Sequence, residues 1–261
     1  MKKIIAAILA LTMVLAFAGC ASEKPEATTE AATEAATTAA AETTVETTVP
    51  AETEATEASV KVMTHDEFIA APMESEVTVE TYVQAKQGWW DNKATLYTQA
   101  EDGAYFVYEM PCTEEEYAKL TEGTKIRVHG FKAEWSGEVE IIDATYEILD
   151  GNYVAEAKDI TEMLSDEAAL LNIQNSKIAA NGLTVEEVKY KNDEPGDDIY
   201  LTLGLNGASY NFCVERYLTG PETEVYTTVG TLEAGDVVNV EGFLYWYEGA
   251  NPHITAISVV E

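Results

Sequence analysis

Val77, Val79, Thr81, Val83 and Ala85 alternate with Thr78, Glu80, Tyr82, Gln84 and Lys86, the period-two pattern of a strand with one buried face. Lys93 to Ala100 and Ala104 to Met110 follow as two more strand-like runs around Glu101-Asp102-Gly103, where Asp-Gly supplies the positive φ of a tight hairpin. Thr113-Glu114-Glu115-Glu116 reads as a capping box opening a helix through Tyr117 to Leu120. Lys125 to Phe131 puts Ile126 and Val128 on one face and Lys125, Arg127 and His129 on the other, and Ser136-Gly137 turns the chain into a fifth strand, Val139 to Ile148. Upstream, Thr64-His65-Asp66-Glu67 is another capping box, before Phe68-Ile69-Ala70-Ala71, and predicts a short helix across one end of the strands.

The plan then returns. Leu120-x-x-Gly123-Thr124-x-Ile126-x-Val128-x-Gly130-Phe131 is echoed by Leu232-x-x-Gly235-Asp236-x-Val238-x-Val240-x-Gly242-Phe243, and Asp102-Gly103-Ala104 by Asn206-Gly207-Ala208. Self-similarity in fixed order over this length indicates a duplicated domain. The second copy runs from Lys177 to Val188, bent at Gly182, through Ile199 to Leu205 and Ser209 to Val214, to Val237 to Tyr245 and His253 to Val260. Pro221 to Val229 fills its helix slot, and Asp159 to Leu171 reads as its end-capping helix. The order β-β-β-α-β-β resembles the OB-fold. The expected architecture is therefore mainly β: two tandem OB-like five-stranded Greek-key barrels, residues 60–151 and 152–261, each with a short capping helix. Aligning the hairpins on their glycines pairs Phe106 with Tyr210 and Tyr108 with Phe212 and points all four inward. Leu96 then faces outward, unless a bulge near Gln99 restores it.

The N-terminus adds an address. Lys2 and Lys3 precede an apolar stretch from Ile4 to Ala18 that is too short to span a bilayer and reads, over residues 1–20, as an export signal. Phe17-Ala18-Gly19-Cys20 resembles a bacterial lipobox, departing from it at Phe17, where leucine is usual; the resemblance implies lipidation of Cys20 and a membrane anchor. Residues 21–58 are Ala, Thr and Glu, with nine glutamates against Lys24. Such a segment buries too little to offset its ordering entropy and reads as an acidic tether, spanning on the order of 35 Å.

The tandem plan, with Gln84-Ala85-Lys86-Gln87-Gly88-Trp89-Trp90-Asp91-Asn92-Lys93, Trp135-Ser136-Gly137-Glu138-Val139-Glu140 and Phe243 to His253, resembles OB-fold lipoproteins of Gram-positive gut anaerobes. The resemblance covers nearly everything after the tether. It implies a fold and an extracytoplasmic, lipid-anchored location, with no catalytic residues to carry over.

All four tryptophans fall in loops that frame the ligand cleft of an OB-fold: Trp89 and Trp90, Trp135, and Trp246 between Tyr245 and Tyr247. Neighbours in an extended segment point to opposite sides, so some of these rings need a partner outside the barrels. That partner is a ligand stacking on exposed faces or the packing of one unit on another. Nucleic acid is disfavoured as a partner: residues 59–261 carry a net charge of −26, and the basic stripe Lys86, Lys93, Lys125, Arg127 and Lys132 reads as a solvated strand face.

No cofactor is expected. His65, His129 and His253 are scattered, and the acidic loop Asn192 to Asp198 lacks the EF-hand order of ligands. Glu134 and Glu138 bracket a tryptophan but read as a charged hairpin, not as a hydrolase pair. With Cys20 lipidated, Cys112 and Cys213 are left one per unit and are expected to remain unpaired. The reading is a non-enzymatic binding or interaction module of the cell envelope, with a protein or peptide ligand foremost. The alternatives are a glycan held by the loop aromatics, or a structural or stress-related envelope role without a small ligand.

Overall fold

The computed structural model describes residues 61–260; the signal segment, Cys20 and the tether lie outside the described residues. Helix α1 (His65–Ala70) is closed by the expected capping box, Thr64 Oγ1 accepting from Glu67 N while the Glu67 carboxylate accepts from Thr64 N. Strands β1 (Glu76–Lys86), β2 (Lys93–Gln99), β3 (Ala104–Pro111), β4 (Thr124–Trp135) and β5 (Glu138–Asn152) follow, with α2 (Glu114–Tyr117) between β3 and β4. They close into a barrel of order β1-β2-β3-β5-β4, with β3 and β5 parallel and the other neighbours antiparallel. Val79, Leu96, Val107, Ile126, Val128 and Ile141 fill the interior, and Phe68 of α1 plugs one end.

Lys132 explains how that helix is held. Its side chain is buried, and its ammonium donates to the carbonyls of Phe68, Ile69 and Ala71 at 2.7–3.0 Å, at the C-terminal end of α1, where a cation is favoured. The expected solvated basic stripe is thereby corrected. Lys125 and Arg127 pair with Glu80, Lys93 pairs with Glu109, and Lys86 donates to the Tyr117 carbonyl while lying over its ring.

The second half holds β6 (Lys158–Asp159), a short α3 (Glu167–Leu171), β7 (Lys177–Tyr190), β8 (Ile199–Leu205), β9 (Ala208–Val214), α4 (Glu224–Val229), β10 (Val237–Phe243) and β11 (His253–Val259). The helix expected over Asp159 to Leu171 is broken: Asp159 belongs to β6 and Thr161–Met163 is a 3-10 turn. Its sheet runs β10-β11-β9-β8-β7-β6, with β10 also pairing β7. The repeated glycines of the two motifs have a common reason. A Cβ on Gly130 would lie 2.7 Å from the Ile142 carbonyl oxygen, and one on Gly242 would lie 2.0 Å from that of His253, so in both halves the fourth strand presses on the fifth where the register shifts.

The faces of β3 differ from expectation. Leu96 pairs with Val107 inside the barrel, while Tyr97 and Phe106 pair on its outer surface, and Tyr108 also faces out. Asp102-Gly103 ends a connection of four residues between β2 and β3, whereas Asn206-Gly207 alone joins β8 to β9, both at positive φ. The two glycines hold different places in their turns, so matching them slides one hairpin by a residue, and that slip exchanges the faces. No bulge occurs at Gln99; the irregularity lies between Ala94 and Leu96.

The outward pair is where the halves meet. Phe243 stacks on Tyr97 at 4.7 Å, Tyr245 packs edge-on to Phe106 at 5.4 Å, and His253 stacks on Tyr245 at 4.3 Å. Tyr97 Oη and His253 Nδ1 share a buried hydrogen bond of 2.6 Å. Around this centre, Gly88 N donates to the Tyr217 carbonyl, Lys177 N to Gln99 Oε1 and Glu248 N to the Ser136 carbonyl. Phe243→Ala is expected to cost about 3–5 kcal/mol, and Tyr97→Phe, which strands the His253 nitrogen, about 1–3 kcal/mol. Guanidinium denaturation checks both; a Phe243→Ala cost below about 0.5 kcal/mol, the size of a surface change, contradicts a buried stack.

Candidate ligand face

Side chains two apart on a strand share a face, and the register joins three strands into one surface. Phe131, Ala133 and Trp135 of β4 pair with Ile142, Glu140 and Glu138 of β5, and Glu140 pairs in turn with Phe106 of β3. The second half covers one end of this surface, over Phe106 and Glu138. It leaves Phe131, Tyr108 and Trp135 exposed, Trp135 at 51 %. A shallow hollow of about 520 Å³ opens on the uncovered part, lined by Met73, Phe131, Ala133 and Ile142 together with Glu74, Lys132, Glu134 and Asp143.

The β4–β5 hairpin reaches the second half through Ser136-Gly137, both at positive φ. A side chain on Gly137 would start 2.6 Å from the Trp246 ring. Trp246 is itself buried in the core of the second half, and its backbone N–H donates to Glu138 Oε2 at 2.8 Å. Tyr247, the next residue, therefore points out, 48 % exposed, with its ring 5.3 Å from Trp135.

The six aromatic candidates thus regroup. Trp135 and Tyr247 come together from different halves, Tyr245 joins the seam half-buried, and Trp246 is a core residue. Trp89 is half-buried with Nε1 donating to the Cys112 carbonyl at 2.9 Å, while Trp90 stands 77 % exposed in the β1–β2 loop. Glu134 and Glu138 fall on opposite faces, Glu134 exposed and Glu138 fully buried. Cys112 and Cys213 are free and buried. Lys191 holds the acidic loop, bonding Asp198 at 2.9 Å and Asp197 at 3.5 Å. Among the described residues, no three of His, Cys, Asp and Glu are grouped to hold a metal ion, and no helix is long and apolar enough to cross a membrane.

Reading the sequence missed the buried acids of the seam. Burial pushes Glu138 up to about 8, against the hydrogen bond from the Trp246 backbone N–H, which favours its charge. Its Oε1 and Asn175 Oδ1 are both buried acceptors without a donor, and a proton on Glu138 supplies the missing donor. Burial likewise lifts Glu140 to about 7, with the Glu109 charge adding to it, and lifts Glu215 to about 7 despite bonds from Tyr217 and Leu218 N–H. It lowers His253 to about 3, so this imidazole is neutral.

No family model and no curated protein matches the chain. Solved structures do. A murine DNA-binding protein bound to double-stranded DNA is 11 % identical over 70 % of this chain and 95 % of that one, with a TM-score of 0.35. A replication protein A heterotrimer bound to single-stranded DNA is 13 % identical over 73 % and 50 %, with a TM-score of 0.31. Asparaginyl-tRNA synthetase from Pyrococcus horikoshii is 20 % identical over 33 % of this chain, which spans 20 % of the synthetase, with a TM-score of 0.28. Likeness at this level assigns no ligand. It does correct the expectation that sets nucleic acid aside: two of these matches hold DNA, and net charge is a sum over the whole surface that does not decide what one face binds.

The raised Glu138 carboxyl has a definite sign. The folded state binds this proton more tightly than the unfolded chain, so its contribution is complete below the unfolded value near 4.5 and is lost as pH rises towards about 8. Glu138→Gln keeps an acceptor for Trp246 N–H and a donor for Asn175 without the ionisation. The variant is expected to melt higher than the parent at pH 8 and to converge with it at pH 5, read by calorimetry. A variant less stable than the parent at pH 8 contradicts a neutral Glu138.

Proposed function

We propose that this protein is a lipid-anchored, extracytoplasmic binding module without catalytic activity, which takes a protein or peptide ligand on the surface around Trp135 and Tyr247. The observation that carries the reading is that pair. Two large rings from different halves meet at 5.3 Å, each about half exposed, on a support of buried contacts. Rigid aromatic rings offer contact area at a small entropic cost, and a hollow with an apolar floor lies on the same face.

In this reading the second sheet is a second OB-like barrel. Its pairings β7–β8, β8–β9, β9–β11, β11–β10 and β10–β7 repeat the order of the first, though the β9–β11 link is a single residue pair, Cys213 with His253. The outer face of β2 and β3, where OB-folds take ligands, is occupied in the first barrel by Phe243, Tyr245 and His253. Ligand binding then moves to the neighbouring β3–β5–β4 surface, which stays open. The lipobox-like Cys20 and the acidic composition of residues 21–58 support a position of this surface near the outer side of a membrane.

Trp135→Ala is expected to weaken binding of envelope-derived peptides about tenfold or more while leaving the melting temperature near that of the parent. Trp246→Ala is expected to lose about 3–5 kcal/mol of stability. Tryptophan fluorescence titration and thermal melts, with cell-wall glycans and oligonucleotides as parallel probes, separate the readings. Saturation by glycan or oligonucleotide alone replaces the peptide class, and unchanged peptide binding in Trp135→Ala removes this surface.

A further inference from the structure

Glu140 is unlike the other acids of the seam. It is 8 % exposed, and no ion pair or hydrogen bond to its carboxylate is found among the described residues. Glu138, by contrast, accepts from Trp246 N–H, and Glu215 accepts from Tyr217 and Leu218 N–H. Nor does a cation of the chain serve Glu140. On the neighbouring strands Lys93 is taken by Glu109 at 2.6 Å, and Lys132 is turned inward onto α1. The residue is mostly covered yet its carboxylate oxygens still reach solvent, so the cation of a ligand can meet them, and partly buried acids of this kind concentrate at binding sites.

The surroundings of Glu140 are aromatic. Its register partner Phe106 lies 6.4 Å from Tyr108 and 5.4 Å from Tyr245, ring to ring. Glu140 is near enough to both tyrosines for its charge to oppose their ionisation, after the larger effects of burial at both, of Glu109 at Tyr108 and of Glu138 at Tyr245. Trp135 follows Ala133, the other register partner, on the same face. On the far side of Ala133 lies the hollow of Phe131, Ile142 and Met73, whose lining also holds three acids, Glu74, Glu134 and Asp143, against one cation, Lys132. Electron-rich ring faces around an anion are the arrangement that accepts an organic cation, and the hollow adds apolar floor and more negative charge.

We propose that this face binds a peptide segment through one lysine or arginine side chain, whose cation sits on Glu140 flanked by Tyr108 and Trp135, while adjoining apolar side chains lie in the Phe131–Ile142 hollow. The inference rests on the binding-module reading and narrows it to a basic, part-apolar peptide. A cation on Glu140 draws its proton off, so binding strengthens as pH rises through about 7. The other groups facing Glu140 are Tyr108 and the Lys93-paired Glu109 of β3, Glu138 of β5 and Tyr245 of the second half. Glu138 holds its own proton up to about 8, so a Glu140 variant is needed to assign the change.

The test is a calorimetric titration of the full-length protein with acetyl-Ala-Leu-Lys-Leu-Ala-amide and with its norleucine twin, at pH 6 and pH 8. The lysine peptide is expected to bind about tenfold more tightly than the twin at pH 8, with a smaller advantage at pH 6 and with proton release that depends on the buffer. Glu140→Gln is expected to abolish the advantage and the proton release; its melting curve reports folding, and the pH dependence of the parent stands independently of the variant. Equal binding of the two peptides, or an advantage that survives in Glu140→Gln, overturns the cation site and leaves the binding module intact. No heat from either peptide overturns the basic-peptide proposal. Saturation by a cell-wall glycan or an oligonucleotide in its place replaces the ligand class, and silence from every probe removes the binding-module reading as well.

Discussion

The contact between Tyr97 and the pair Phe243 and His253 governs the arrangement of everything around it. A tyrosine on the outer surface of a barrel is ordinarily wet; here its ring is stacked and its hydroxyl is bonded to an imidazole with no access to water. Burial of this kind is favourable only if each polar tip finds a partner, and Tyr97 and His253 serve each other. With that centre set, the backbone bonds at Gly88 and Ser136 and the bond to the Gln99 side chain hold the rim of the seam, and the β4–β5 hairpin is fixed against the second half. The surface that binds ligand in single OB-folds is spent on this contact, and the exposed aromatics are displaced to its edge.

That burial also sets the electrostatics. Glu138, Glu140 and Glu215 are held high and His253 low for one reason, the removal of water from around them. At neutral pH Glu138, at about 8, keeps its proton, while Glu140 and Glu215, at about 7, are divided between the two forms. Glu138 has an internal partner for its proton in Asn175, whereas Glu140 has no hydrogen-bond partner among the described residues. The same desolvation therefore acts on a structural acid at one position and, two residues away, on the carboxyl on which the proposed cation site rests.

Much of the first barrel was legible from alternation and capping. Thr64 and Thr113 cap their helices as their boxes indicate, and the strands fall within a few residues of the runs of alternating side chains. What was not legible depends on contacts distant in sequence. The faces of Phe106 and Tyr108 turn on where a glycine sits in its turn, which composition does not reveal. Glu138 and Glu140 alternate with Val139 and Ile141, so they read as solvated; only the second half, arriving from about a hundred residues away, makes them buried. Trp246 and Tyr247 were candidates alike, and alternation along the segment puts the first ring in the core of the second half and the second on the surface. Lys132, read as part of a basic stripe, caps a helix formed sixty residues earlier.

The central claim is that the two halves are joined through a dry aromatic seam, with a neutral His253 bonded to Tyr97. It is tested most directly by following the ¹⁵N shifts of the His253 ring from pH 4 to pH 8. The account predicts a neutral imidazole of one tautomer across that range, because burial holds its value near 3. A titration near the ordinary value of 6.5 would show the ring in water and the seam open, and would contradict it.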